Sequence, residues 1–177
     1  MLLQALPQTA LHNHSLPMRG KVTHGWGWIH YDGKPVGILG RGDFLDPLLF
    51  ERPLGFAPIG STLLVNGSGT GIDVALLHRS LSSKLARQAA RLSTHALVRT
   101  ADLFVELIDK IAPGCIGPVE LDLPVSQSEL GALLGMSTVH MNRTLMILKR
   151  MGLLTTAKGV FFILDREGML EQAMSSP

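Results

Sequence analysis

The sequence predicts an α+β protein: a small antiparallel β unit, a long helix, and a C-terminal winged helix-turn-helix. Three observations predict it. Residues 18–79 are dense in glycine and proline and hold only short apolar runs. Residues 80–112 contain neither glycine nor proline. Beyond residue 125 come two helix-cap signals in close succession and then two strand-like runs around Lys158-Gly159.

Residues 1–17 carry Pro7 and Pro17 among mixed polarity and are expected to form a weakly ordered lead-in. In 18–79, "KVTHGWGWIHY", "PVGILG" and "STLLVNG" read as short strands, with Asp32-Gly33 as a tight-turn signal between the first two. Trp26 and Trp28 alternate with glycines, so both indoles face one side, as core. Over 80–112, Leu85, Ala89, Leu92 and Ala96 recur at three- and four-residue steps, followed by Leu103 and Leu107. That spacing makes an apolar stripe on one long helix. The helix either pairs with a copy of itself along that stripe or packs on its own domain.

Residues 113–177 open with the breaker "PGCIGP". "SQSE" at Ser126–Glu129 has capping-box spacing, Gly135 suits a left-handed stop, and Ser137 caps a second helix running to about Met151, where Gly152 ends it. "LLTTAKGVFFIL" reads as a hairpin and "DREGMLEQA" as a closing helix. Two helices on a tight turn followed by a hairpin outline a winged helix-turn-helix.

Composition bounds the function. The chain has 177 residues, is 46% hydrophobic and 17% charged, and carries a formal charge of +2. Its mean hydropathy is +0.27 and its pI about 8.9. Wholesale disorder is excluded, and a polyanionic partner is permitted without being required. A single cysteine, Cys115, excludes an intramolecular disulfide, a thiolate zinc cage and a cysteine-ligated iron–sulfur cluster. No signal peptide or membrane-length apolar run is legible, and a cytoplasmic location is expected.

On a helical wheel from Thr138, the residues Met141, Thr144, Leu145, Leu148 and Met151 form the core arc. Opposite lie Val139, Arg143, Met146 and Arg150, with Asn142 at their edge. No acid occurs between Glu129 and Asp165, so Arg143, Lys149, Arg150 and Lys158 against Glu129 leave +3. An arginine able to bridge guanine O6 and N7, an asparagine, short side chains at the helix start and nearby cations suit a DNA major groove. The bland reading is a solvated helix used for protein contacts.

"LPVSQSELGALLGMSTVHMNRTLMILKRMGLL" closely resembles the DNA-binding domain of the Crp/Fnr superfamily (cyclic-AMP receptor protein and fumarate–nitrate regulator) of bacterial transcription regulators. Upstream, "GWIHYDGKPVGILGRGDFLD" is similar to part of that family's β-roll, a cyclic-nucleotide-binding-like jelly roll, here shortened. Residues 80–112 fall where the family has its dimerisation helix. The resemblance implies base-facing roles for Thr138, Val139 and Arg143, and phosphate contacts by Ser126, Gln127, Ser137 and His140; the hairpin that carries Lys158 is itself expected near phosphate. It implies a homodimer on an inverted-repeat operator, with RNA polymerase as a further partner. Thr138 and Val139 depart from the arginine and glutamate of the cyclic-AMP receptor branch, so that branch's recognition sequence does not transfer; Val139 suits a thymine methyl instead.

The sensor half departs further. "GDFLDPLLFERPLGFAPIGST" lacks the Gly-Glu pair and Arg-Ser/Thr-Ala step of a cyclic-nucleotide site, and Arg52 lacks the small partners of a phosphate cradle. No cofactor is expected. "HNH" at His12–His14, with His24, His30 and His78, has no metal-ligand spacing on one helix. "NGSGTG" lacks the Lys-Ser/Thr of a phosphate loop, and no nucleophile–base or carboxylate pair suggests an enzyme. The competing class is a degenerate regulator that acts by pairing with full-length relatives.

Overall fold

The computed structural model describes residues 2–6, 20–45, 55–67 and 74–175, and divides the chain into two compact units, Met1–Gln88 and Ala89–Pro177. His12–His14, Arg52 and the centre of "NGSGTG" lie outside the described residues.

The first unit is built on antiparallel strands β1 (Leu2–Leu6), β2 (Gly20–Tyr31), β3 (Lys34–Leu39), β4 (Phe44–Leu45) and β5 (Gly55–Gly67). They run in the order β1-β5-β2-β3, and β4 also pairs with β2. Helix α1 (Val74–Leu92) begins in this unit. Strand β1 corrects the expected lead-in: Leu2–Leu6 pair with Leu63–Gly67 in register from Leu2↔Gly67 to Leu6↔Leu63. The alternation that marks a strand is hard to read in five residues, and here pairing to a distant strand decides it.

Asp32 and Gly33 take φ 51° and 72° between Tyr31 and its partner Lys34, the two left-handed residues of a type I′ hairpin. Trp26 and Trp28 are buried with Ile29, Ile38 and Leu39. Lys84 of α1 holds the turn after β3: its Nζ donates to the Ile38 carbonyl at 2.9 Å and to Asp43 Oδ2 at 3.1 Å. The same carboxylate accepts from the Gly40 amide at 2.8 Å.

The expected single helix over 80–112 is two helices, α1 and α2 (Ala96–Ile111). Polar side chains end α1 by taking its last carbonyls. Ser93 Oγ donates to the Ala90 carbonyl at 2.7 Å, and Thr94 Oγ1 to that of Arg91 at 2.8 Å. Arg99 then takes the Thr94 carbonyl through Nε at 3.0 Å and Nη2 at 2.5 Å. Arg91 closes the bend from the other side, binding the Asp102 carboxylate through Nε and Glu106 Oε2 through Nη2 at 2.6 Å. Only 5% exposed, that guanidinium is held by two carboxylates rather than by water.

The second unit adds β6 (Val119–Leu121), α3 (Gln127–Leu133), α4 (Thr138–Arg150), β7 (Leu154–Ala157), β8 (Val160–Ile163) and α5 (Arg166–Met174). Its sheet runs β6-β8-β7, and α2 packs on α4, α5 and β6. The β7–β8 hairpin fits the sequence reading, whereas the three-residue β6 is an addition to it. Phe104 of α2 meets Phe161 of β8 with ring centroids 5.1 Å apart. Leu103 and Leu107, expected on the seam between two copies, are 2% and 0% exposed in the single chain. They belong to this core, because the bend after Leu92 turns the second half of the stripe inward.

Candidate nucleic-acid interface

The helix-turn-helix is assembled by two helix ends of the same kind. In α3 the Met136 amide donates to the Gly131 carbonyl at 2.8 Å and the Gly135 amide to that of Ala132 at 3.3 Å, a Schellman pattern with Gly135 at φ 65°. A Cβ on Gly131 would stand 2.8 Å from the Met136 carbonyl oxygen, so only glycine permits this close return of the chain. At the end of α4, Leu153 and Gly152 donate to Leu148 and Lys149 in the same way, with Gly152 at φ 74°.

Both helix starts are capped as the sequence suggests. Ser126 Oγ accepts from the Glu129 amide at 3.2 Å while Glu129 Oε2 accepts from the Ser126 amide at 2.7 Å. Ser137 Oγ accepts from the His140 amide at 3.2 Å. Arg99 adds a tie that sequence reasoning missed: its Nη1 donates to the Leu134 carbonyl at 2.8 Å, closing the end of α3. A partner 35 positions away leaves no local signal.

Buried Met141, Thr144, Leu145 and Leu148 fix the rotation of α4 about its axis. Thr138, Val139, Asn142, Arg143, Met146 and Arg150 are exposed on its outer side. Met151, expected on the core arc, is also exposed, since it is the cap where the helix has already ended. Lys149 Nζ donates to Thr156 Oγ1 of β7 at 2.6 Å, fastening α4 to the hairpin. At the hairpin tip, Lys158 and Gly159 take φ 50° and 82° between the paired Ala157 and Val160, a second type I′ turn that holds the lysine outward.

The candidate phosphate residues divide by how they are engaged. Gln127 at the start of α3, Ser137 and His140 at the amino end of α4, and Lys158 at the hairpin tip are all exposed. Ser126 differs: its hydroxyl donates to Glu129 Oε2 at 2.7 Å, so its proton is committed within the capping box and a carboxylate stands beside it. Along the expected seam, Leu85 and Ala96 are half-buried, while Ala89 and Leu92 are exposed. Among the described residues no group of three or more His, Cys, Asp or Glu side chains is placed to hold a metal. No helix among them is long and apolar enough to cross a membrane.

A core-mounted helix with an acid-free outer face, entered through a tight turn at Gly135 and followed by a hairpin with Lys158 at its tip, has the architecture of a winged helix-turn-helix. Residues 98–172 match the Crp-like helix-turn-helix domain family. The fold of the chain is that of Crp/Fnr regulators. It is similar to a transcriptional regulator of the CRP/FNR family from Thermus thermophilus, at 22% identity and TM-score 0.68, over 99% of this chain and 100% of that one. FixK2 from Bradyrhizobium japonicum is similar at 17% identity and TM-score 0.69, over 99% and 98% of the two chains. A CooA variant from Carboxydothermus hydrogenoformans is similar at 16% identity and TM-score 0.67, over 97% and 87%. No curated protein sequence matches the chain.

Proposed function

We propose that the protein is a transcription regulator that binds an inverted-repeat DNA operator as a homodimer, with α4 in the major groove of each half-site. The observation that carries this reading is the outward arc of α4: Thr138, Val139, Asn142 and Arg143 are exposed on a helix whose opposite face is locked in a core. Arg143 reads guanine through a bidentate contact, and Asn142 lies beside it with the donor and acceptor that adenine requires. Gln127, Ser137, His140 and Lys158 approach the phosphates; Ser126 contributes by placing α3 through its cap. The solved structures it resembles include named transcriptional regulators, which supports the same role.

Pairing of two copies runs along α1, where Ala89 and Leu92 present apolar surface and Leu85 adds its partly covered side chain. Two half-sites then lie about one helical turn apart, roughly 34–36 Å. RNA polymerase is the partner through which bound protein acts on transcription. The test is selection of duplexes from a random pool by the purified chain alone, followed by a gel shift on the enriched sequence. An enriched inverted repeat, shifted without any added protein, is the expected result. A shift that appears only when a full-length relative is added would establish the pairing alternative instead.

A further inference from the structure

We infer that Val139 reads the 5-methyl group of a pyrimidine, so that the operator position it faces accepts thymine or 5-methylcytosine and disfavours their unmethylated counterparts. This rests on the DNA-reading role proposed for α4. Val139 stands in the first turn of that helix, just after the Ser137 cap, and is 63% exposed. Helix stability does not account for it, since valine is a poorer helix former than alanine. Its β-branch is confined to essentially one χ1 state in a helix, so its two methyl groups are presented at a fixed place with little entropy left to lose.

Arg143 follows one turn later and Met146, 48% exposed, two turns later on the same arc. The face is thus apolar, cationic and apolar in sequence along the helix. No aspartate or glutamate occurs from residue 130 to residue 164, so no carboxylate there accepts from the cytosine amino group. Valine has neither donor nor acceptor, and the one apolar group on a base edge in the major groove is the methyl at C5. Thymine and 5-methylcytosine carry that methyl on the same ring carbon. They differ at C4, oxygen against amino group, in a feature that valine cannot sense by hydrogen bonding. Affinity at this position therefore follows the methyl group rather than the base, and cytosine methylation becomes something this face can read.

The test uses the full chain and the inverted-repeat duplex it enriches from a random pool. Each thymine is replaced singly by deoxyuridine, which keeps the adenine partner and removes only the methyl. At the position that responds, cytosine and 5-methylcytosine are then compared opposite guanine. One thymine per half-site is expected to lose about fourfold in affinity as deoxyuridine, the value of burying one methyl group. The 5-methylcytosine duplex is expected to bind more tightly than the cytosine duplex by a similar factor. Val139→Ser, which replaces both methyl groups by a hydroxyl at an exposed position, is expected to erase both differences. If the operator is preferred over a scrambled duplex but no deoxyuridine weakens binding, or if Val139→Ser keeps the methyl difference, the methyl reading is overturned and DNA reading stands. If the pool yields no enriched duplex, DNA reading itself falls and takes this inference with it.

Discussion

Lys158 occupies a left-handed backbone position, φ 50°, at the tip of the β7–β8 hairpin, and nothing in the core requires a lysine there. In the role proposed for it, facing phosphate, it would act on every sequence alike. Lys158→Ala is expected to weaken specific and scrambled duplexes together and to flatten the log–log salt dependence by about 0.9 for each phosphate the lysine neutralises. Titrations at several salt concentrations measure this directly. His30 carries a different expectation. Burial holds its imidazole below the ordinary value of 6.5, which means that the fold prefers the neutral ring. The unfolded chain therefore takes up the proton first as pH falls. Stability is intact above about pH 6.5 and declines as pH drops from there towards the folded-state value. Urea unfolding at a series of pH values should show that decline, and His30→Gln should remove its share of it.

At the level of elements, the two glycine-terminated helix ends decide the geometry of α3 and α4. Gly135→Ala puts a Cβ into a left-handed conformation and within 3.2 Å of Leu92 Cδ2. A loss of about 1–2 kcal/mol in chemical denaturation is expected. The two halves of the former stripe should part company in the same assay. Leu107→Ala removes a fully buried side chain and should cost about 2–5 kcal/mol, whereas Leu92→Glu, at a position 46% exposed, should leave folding nearly unchanged. By sedimentation Leu92→Glu is expected to yield monomers, because in the seam proposed along α1 a charge would lose its water without gaining a partner; an unchanged dimer would move the seam elsewhere.

The caps, the glycine stops, both type I′ turns and the outward face of α4 were legible because each is written in residues within four or five positions of one another. The bend at Ser93–Thr94 was not. Leu85, Ala89, Leu92 and Ala96 keep helical spacing straight through it, and the Arg91 ion pairs that close it reach Asp102 and Glu106, farther along the chain in α2. Strand β1 escaped for a related reason, since its partner lies some sixty positions along the chain in β5. The same distance rule hid the Arg99 tie beneath the site while leaving Arg143 in plain view.

On the scale of the whole molecule, the chain places its acid-free, basic stretch and its apolar α1 surface in one polypeptide, as a dimeric reader of a repeated sequence requires. Base reading by α4, as proposed, stands or falls with Arg143. The measurement is a titration of the wild-type chain and Arg143→Ala against the selected operator and a scrambled duplex at two salt concentrations. The exposed position keeps folding intact, and the loss of a bidentate guanine contact should cost about 1–3 kcal/mol per half-site, roughly 2–6 kcal/mol for the dimer on its operator. Binding to the scrambled duplex should change far less. Full operator affinity with full discrimination in Arg143→Ala would contradict the account, since the helix would then touch DNA, or a partner, without reading sequence.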